Sequence, residues 1–594
     1  MNVSSNDVTL TGAWVCASEA VNAITSNIGL NHVLAAGEPA GGAALDQVAI
    51  ATGAALVLSA AISWLGMGHR SGKVPYLGRA ANFTERVSGL PGWAALPAAL
   101  ALVSLLVALL GMYWDISLHI DVGRDPGPLA NPAHYLILTG LFGIFSAGYF
   151  AICLPNERPG PTAVHLVGDW YAPVGGVLIA ACGAFALIGF PLDDVWHRLF
   201  GQDVTLWGPT HLMLIGLSTF QGEFDFGVPQ FRLVLEPVML AAAASVALVS
   251  ARVWIGRGGA LGAAAFFIAV RGAIALIVHQ AFGQALPHFP VYLVEAGCVE
   301  LCGLVLAGRP LALGAASGLA IGTIGFAAEW GWSQIAMPIA WTPNLLPEAP
   351  IGAIIAAVAG GLVGALLGCA LRGDLPKARI ARTVPVVALL AIVGIFVDGL
   401  WTTGPENVQA HVTLHDVRPG PQREVGATVR IDPPQAANDP AWLNVTAWQG
   451  GGLVIDKLAP EGDGLYRTTD PIPVSGEWKA TIRLQQGRQI LGLPIYMPKD
   501  PAIPAPKVPA KQSFTRPFVN DHQLLQREQK RGVPGWLTTV APLCVLVLAL
   551  AFGTTLAWGL GRIGRRNAEP PPPSVPRRRE RPLPRPFIPT GARP

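Results

Sequence analysis

Long apolar runs separated by short polar segments dominate the chain up to about residue 400. Many of these runs approach the roughly 20 residues that an α-helix needs to cross the hydrocarbon layer of a bilayer. They lie at 46–66, 91–113, 135–154, 171–190, 212–229, 233–251, 259–279, 291–308, 311–327, 350–371 and 383–400, and another lies at 536–560. The pattern predicts a mainly α-helical, polytopic transmembrane bundle of about 11–12 helices, including a C-terminal anchor.

Two segments are less clearly membrane-spanning. Residues 1–45 mix apolar residues with Glu19, Asn27 and other polar side chains, which predicts either an amphipathic surface segment or a membrane segment packed inside the bundle. The 212–229 run is interrupted by polar residues and a proline, which predicts a short or re-entrant segment that is tolerated only where protein buries it.

The character of the chain changes after residue 401. Within 402–500, apolar and polar residues alternate over short stretches separated by Gly, Pro, Asn and Asp, the pattern of short antiparallel strands. We therefore predict a small extracytoplasmic β-sandwich over 402–500, a linker over 501–535 and a transmembrane helix over 536–560. The Pro/Arg-rich residues 561–594 predict a disordered cytoplasmic tail.

Composition supports a membrane protein and sets its orientation. The 594 residues are 52% hydrophobic and only 13% charged, which is too apolar for a soluble chain of this length. Basic residues cluster in 67–90, in 372–382 and in the C-terminal tail, and the positive-inside rule places these segments in the cytoplasm. The predicted location is a cell inner or plasma membrane, with the lipid bilayer as a partner. The net charge of +3 is too small to imply nucleic acid.

One combination of chemical groups occurs twice, each time where an apolar run ends and the next begins. Each copy has Asp-x3-His, then a further aspartate, then Pro-x-His. The first copy contains Asp115, His119, Asp125, Pro132 and His134, and the second contains Asp193, His197, Asp203, Pro209 and His211. Asp and His four residues apart share one face of a helix, and the later His can approach from the next helix.

Two imidazoles and one carboxylate form a donor set that suits copper, iron or zinc. The predicted metal ligands are Asp115, His119 and His134 in one copy and Asp193, His197 and His211 in the other. Asp125 and Asp203 are candidates for orienting a ligating imidazole. The alternative is that these polar residues cap helix ends at the membrane surface, where Asp before an apolar run is an ordinary N-cap.

Five further residues are weaker candidates. His279, His288 and Glu295 could form an additional metal site or a proton path. His411 and His415 are four apart in a predicted strand and therefore share a face, which either takes up copper or is simply exposed. HQAFGQ at 279–284 also resembles HRLFGQ at 197–202, which suggests that the bundle contains duplicated helix pairs.

Over residues 114–220, the repeated motif resembles the copper-ligand segments of the C subunit of the particulate methane and ammonia monooxygenases. The resemblance implies a copper membrane monooxygenase that oxidises a small substrate with dioxygen, with quinol or another donor supplying electrons and with other subunits in a homo- or hetero-oligomer. The layout of 402–500 is similar to the periplasmic sandwich domains of the FixH/YtkA-like type.

Two other functions stay open. A copper transport or assembly factor would use the same ligands to deliver copper to a membrane oxidase. A structural subunit of a membrane complex would need no metal at all.

Overall fold

The computed structural model describes residues 43–121, 129–200, 232–284, 290–337, 339–404, 407–499, 505–521, 524 and 533–564. Several predicted features lie outside these residues. They are the segment before residue 43, Asp125, Asp203, the 212–229 run, His211, His288 and the tail from 565 onward.

The described chain is mainly helical. Its helices are α1 Leu45–Arg70, α2 Tyr76–Ser88, α3 Gly92–Asp121, α4 Pro132–Cys153, α5 Val174–Phe200, α6 Leu235–Ile255, α7 Gly259–Phe282, α8 Leu293–Leu306, α9 Pro310–Ala320, α10 Phe326–Ala336, α11 Glu348–Arg372, α12 Ala378–Leu400 and α13 Leu537–Gly564. Within the described residues, 10 helical spans are long and apolar enough to cross a membrane. The prediction of a mainly helical chain with many such helices is confirmed.

Several observed helices are longer than the predicted spans, and α3 and α5, for example, continue to Asp121 and Phe200, beyond the predicted ends at 113 and 190. Two further spans differ more strongly. The 291–308 run forms α8, whose 14 residues extend about 21 Å, too short to cross a hydrocarbon layer of about 30 Å alone. The next run is longer than predicted, because α9 and α10 are joined by a π-helical turn over Ile321–Gly325 into one span, Pro310–Ala336. Arg309 and Pro310 separate α8 from this span, since proline cannot continue a preceding helix.

Small residues hold the centre of the bundle together. Gly360 and Gly364 of α11 face the backbone of α6, and a Cβ at either position would lie within 2.7 Å of an α6 carbonyl oxygen. Gly314 and Gly318 of α9 meet the backbone of α11 in the same way. Such close approach of helix backbones is typical of packing inside membranes, where dispersion replaces the hydrophobic effect as the driving force.

Helices α3, α4 and α5 are consecutive and pack side by side. Because they run in alternate directions, the end of α3, the start of α4 and the end of α5 lie at the same end of this three-helix group. Helix α13 packs on α5, and midway along α5 the rings of Phe185 and Phe552 stack with centroids 4.3 Å apart. A two-stranded hairpin, β1 Val164–Val167 and β2 Trp170–Ala172, joins α4 to α5.

The residues after α12 form a separate β domain, defined as 407–521. Its strands are β3 Gln409–Arg418, β4 Glu424–Asp432, β5 Trp442–Trp448, β6 Leu453–Lys457, β7 Ala459–Gly462, β8 Leu465–Arg467, β9 Ile472–Pro473, β10 Lys479–Gln486, β11 Gln489–Tyr496, β12 Ser513–Pro517 and β13 Val519–Asn520. One antiparallel sheet has the order β13-β11-β10-β5-β6, and the other has the order β12-β3-β4-β8-β7, with β9 beside β4. Alternate residues of both sheets share one hydrophobic cluster that includes Val429, Val445 and Ile482.

Part of the predicted 501–535 linker is instead sheet. β12 pairs with β3 and β13 pairs with β11, so the β domain extends about 20 residues beyond the predicted boundary at residue 500. The Pro and Lys residues around Ser513–Pro517 obscure the strand pattern, because both residue types are typical of the edge strands that β12 and β13 form.

The β domain rests directly on the helical bundle. Gln485 Oε1 accepts a hydrogen bond of 2.8 Å from the backbone N–H of Leu233, just before α6. Thr342 Oγ1 donates to the Ala441 carbonyl at 2.9 Å. Trp442 and Ile490 of the β domain also belong to the hydrophobic cluster of the bundle. The two parts therefore share buried apolar surface as well as hydrogen bonds.

Candidate metal centre

The first motif begins on the last turns of α3. Asp115 is buried, with 8% of its surface exposed, and His119 follows one helical turn later. Their spacing of four residues places both side chains on one helix face, and Asp115 Oδ1 lies 3.5 Å from His119 Nε2. The helix ends at Asp121, so the Asp115–His119 pair lies at one end of the α3–α4–α5 group.

The third donor comes from the start of α4. His134 lies in the first turn of this helix, and its Nε2 is 3.1 Å from Asp115 Oδ1. The local sequence explains this position, because Asn131 is the N-cap and Pro132 occupies the first helical turn, where its missing N–H costs nothing. Asn131 Oδ1 accepts from the backbone N–H of Ala133 at 3.0 Å.

Asn131 also supports the carboxylate. Its Nδ2 donates to Asp115 Oδ1 at 2.5 Å, so one side chain caps α4 and fixes the orientation of Asp115 at the same time. Asn131 was not among the site residues predicted from the sequence. The sequence signal for it was the Asn-Pro pair at the start of an apolar run, which indicates an N-cap and therefore a side chain fixed beside the helix start.

The geometry of the triad fits a metal ion. One donor atom from each of Asp115, His119 and His134 lies within 4.8 Å of the others. Donors about 2.0–2.2 Å from a common ion lie roughly 3.0–3.5 Å apart at ordinary coordination angles. The distances from Asp115 Oδ1 to the two imidazole nitrogens, 3.1 and 3.5 Å, fall in this range. A three-donor set of this kind leaves positions open for a small molecule.

The second motif is described only in part. Asp193 and His197 on α5 are both buried, and Asp193 Oδ2 lies 3.2 Å from His197 Nε2. The adjacent Asp194 has a different role, since its carboxylate accepts from Arg198 Nε at 2.8 Å and from the Ala43 backbone N–H. The structure thus places Asp193 and His197 side by side on α5, while their third predicted partner, His211, lies outside the described residues.

The two motifs are neighbours. The ring of His134 meets the ring of Phe190 edge-on, with centroids 5.5 Å apart, and Phe190 lies three residues before Asp193 on α5. Both Asp–His pairs therefore lie at the same end of the α3–α4–α5 group.

A turn of the β domain contacts the helix that carries the first pair. In this turn, residues 449–452 between β5 and β6, the backbone N–H of Gln449 donates to the Ile120 carbonyl at 2.9 Å and that of Gly451 donates to the Asp121 carbonyl at 2.8 Å. Gln449 Nε2 additionally lies 3.4 Å from the His119 carbonyl. These bonds satisfy carbonyls that the end of a helix leaves without helical partners. Sequence reasoning missed Gln449, because the Gly-rich stretch signals a turn but not its partner.

Replacing Gly451 with alanine is expected to weaken metal binding about tenfold, because the 449–452 turn supports the end of α3 that carries the ligand His119. Gly451 has φ +105°, a conformation in which any Cβ is strained by roughly 1–3 kcal/mol. Gly420→Ala is the matched control, since Gly420 has φ +112° but lies in the β3–β4 turn. Metal titration measures the affinity of both variants, and hydrogen exchange of the α3 C-terminal amides shows whether the end of that helix is loosened. Equal affinities in the two variants would mean that the 449–452 turn does not support the site.

The other predicted residues that the structure describes do not join a group of three donors. His279 is exposed on α7, and its Nδ1 lies 2.8 Å from the Gln284 carbonyl. Glu295 is buried in α8, and His411 and His415 are exposed on β3 beside hydroxyl groups of Ser513, Thr515 and Thr428. His411 and His415 are about 13 Å apart along the strand, too far to share one ion. Among the described residues, only Asp115, His119 and His134 form a group of three such donors.

Comparison of the chain with family models, with characterised proteins and with solved structures finds no match.

Proposed function

We propose that this chain is an integral membrane copper protein that oxidises a small substrate with dioxygen, as the copper membrane monooxygenases do. The observation that carries the proposal is the convergence of Asp115, His119 and His134 from two helices onto one point. Buried ionisable residues cost about 2–3 kcal/mol each inside a membrane, so a matched set at the end of apolar helices favours a function over chance.

The arrangement of the helices supports a multi-pass location in a cell inner or plasma membrane. The basic loops after α1 and after α11 favour a cytoplasmic position for those helix ends, which would put the metal centre and the β domain outside the cytoplasm. In the β domain, two antiparallel sheets on one hydrophobic cluster are typical of a β-sandwich.

The residues around the triad would have distinct roles. Asp115, His119 and His134 would hold copper, while Asn131 would keep the Asp115 carboxylate aimed at it. Bound copper supplies electron-transfer chemistry toward dioxygen, with electrons from quinol or another donor. The 449–452 turn would hold the end of α3 in place and restrict access of water from the side of the β domain.

A second candidate function is copper transport or assembly. The observation that favours it is the position of the Asp193–His197 pair on the adjacent helix, at the same end as the first triad. Two neighbouring sites of similar ligand type suit transfer of an ion from one to the other, and the β domain above them offers a docking surface for an acceptor.

The function is tested on the full-length protein, purified in detergent without chelators. We expect elemental analysis to find at least about one copper ion per chain. We also expect oxygen uptake that requires both a quinol and a small substrate such as ammonia or a short alkane. Copper without oxygen uptake, combined with copper transfer to a high-affinity chelator, would favour the transport function. Absence of any transition metal after reconstitution with copper, iron and zinc would contradict both.

A further inference from the structure

Three acidic side chains are buried in the bundle apart from the metal triad. Glu236 on α6, Glu295 on α8 and Glu329 on α10 have 4%, 2% and 6% of their surfaces exposed. Burying an ionised carboxylate among apolar helices is costly unless a donor or a cation compensates it. The hydrogen-bond donors and cations around the carboxylate differ among the three residues, and this difference separates Glu295 and Glu329 from Glu236.

Glu236 has a donor of its own. The indole Nε1–H of Trp341 donates to Glu236 Oε2 at 3.0 Å. Trp341 is itself buried against the rings of Phe326 and Trp330, so this donor is held firmly in place. The Glu236 carboxyl group therefore has a hydrogen-bond donor within the protein and needs no added ligand.

Glu295 and Glu329 instead face each other. Their carboxyl groups lie within hydrogen-bonding reach of one another, although carboxylates are acceptors only. The Glu329 carboxylate accepts from the backbone N–H groups of Tyr292 and Val291, with Tyr292 N 3.5 Å from Oε1. Among the described residues, Glu295 Oε1 and Glu329 Oε2 are buried and have no donor.

No cation of the described chain pairs with either carboxyl. The buried Arg271 of α7 lies over the rings of Tyr113 and Phe267, at 5.4 and 5.6 Å from their centroids, with Tyr292 behind Phe267. The other titratable groups nearby are Glu236 and Cys298, and neither brings a positive charge. Two adjacent carboxylates in this environment would repel each other.

The space between them admits only a very small ligand. The two carboxyl groups line a cavity of about 10 Å³, together with Tyr292, Gly325 and Trp341, which is barely the volume that one water molecule needs. The π-helical turn before α10 brings Gly325 against Glu295, where a Cβ would lie 2.9 Å from Glu295 Cγ. π-Helical turns of this kind occur frequently at functional sites.

We propose that Glu295 and Glu329 form an intramembrane proton-binding site, in which one proton is shared between the two carboxyl groups. The proton turns one carboxylate into an O–H donor to the other, so it supplies the missing donor and removes the repulsion in one step. A hydrated metal cation does not fit the cavity. This site depends on neither the metal triad nor the copper proposal.

Dicyclohexylcarbodiimide tests the proposal directly, because it reacts with protonated carboxyl groups in apolar surroundings. In the full-length wild-type protein, peptide mass spectrometry is expected to find adducts on Glu295 or Glu329 at least about tenfold more abundant than on Glu300. Glu300 is the internal control on the same helix, since its carboxylate is ion-paired with Arg252 at 2.9 Å. Labelling should decline as the pH is raised and the proton leaves.

Two outcomes would overturn the proposal. One is labelling of Glu295 and Glu329 no greater than that of Glu300 at every pH. The other is labelling that disappears when sodium chloride replaces choline chloride at constant pH, because the pair would then bind sodium. In a second measurement, a protonated-acid C=O band should appear in the infrared difference spectrum of wild type minus Glu295→Gln/Glu329→Gln, and its absence from that difference would also contradict the shared proton.

Discussion

Replacing His119 and His134 together with alanine is expected to lower copper affinity by more than about 100-fold, beyond the 10–100-fold that loss of a supporting group causes. The double variant leaves Asp115 as the last of the three converging donors. A single carboxylate cannot hold a transition metal against water and buffer, and the imidazoles provide the donors that copper prefers. Competition with a chelator of known affinity measures the change.

The matched control removes the same number of histidines elsewhere. His411→Ala/His415→Ala deletes two exposed imidazoles of β3, and it is expected to leave copper affinity unchanged, because these side chains lie apart and bond to hydroxyl groups. If both double variants lost copper equally, surface histidines would account for the binding. If His119→Ala/His134→Ala kept wild-type affinity, the triad would not be the site.

The first triad could be predicted from sequence because its geometry is mostly local. The four-residue step from Asp115 to His119 is a property of any helix, and the start of α4 follows from the Asn131-Pro132 cap. His134 lies at the start of the next helix, and consecutive antiparallel helices place the end of one beside the start of the next, so little long-range information was needed.

The supporting contacts could not be predicted in the same way. Gln449 is 330 residues from the His119 carbonyl that it approaches, and its main contacts use backbone groups, which carry no side-chain signature. Glu295 and Glu329 come from different helices, and the π-helical turn that brings Gly325 against Glu295 has no recognised sequence pattern. Tertiary packing, rather than local preference, creates these sites.

The helical part of the fold follows from hydropathy because length and apolar composition can be recognised for each helix separately. The observed α11 and α13, for example, differ from the predicted 350–371 and 536–560 by only a few residues at either end. The β domain was harder to delimit. Its last strands pair with residues about 30 to 100 positions earlier, so their place in the sheets depends on partners rather than on their own pattern.

Replacing Asp521 with alanine is expected to destabilise the β domain by about 3–5 kcal/mol, the cost of leaving a buried charge without its partner. Asp521 lies in the stretch predicted as a linker, yet only 1% of its surface is exposed. Its carboxylate accepts from Arg483 Nη2 at 2.6 Å and from Nε at 3.1 Å, and Arg483 is completely buried on β10. Urea-dependent hydrogen exchange of the β10 and β11 amides, in the full-length protein in detergent, measures the loss.

Two further variants distinguish the charge from the packing. Glu461→Ala breaks an exposed pair with Arg467 of the same β domain, and it is expected to cost less than about 1 kcal/mol because solvent screens that interaction. Arg483→Met/Asp521→Leu removes both buried charges while keeping apolar volume, so it should recover most of the stability lost in Asp521→Ala. A loss in Asp521→Ala no larger than that in Glu461→Ala would show that residues 513–521 do not anchor the sheets. A double variant as unstable as Asp521→Ala would place the stabilisation in the shape of the two side chains rather than in their charges.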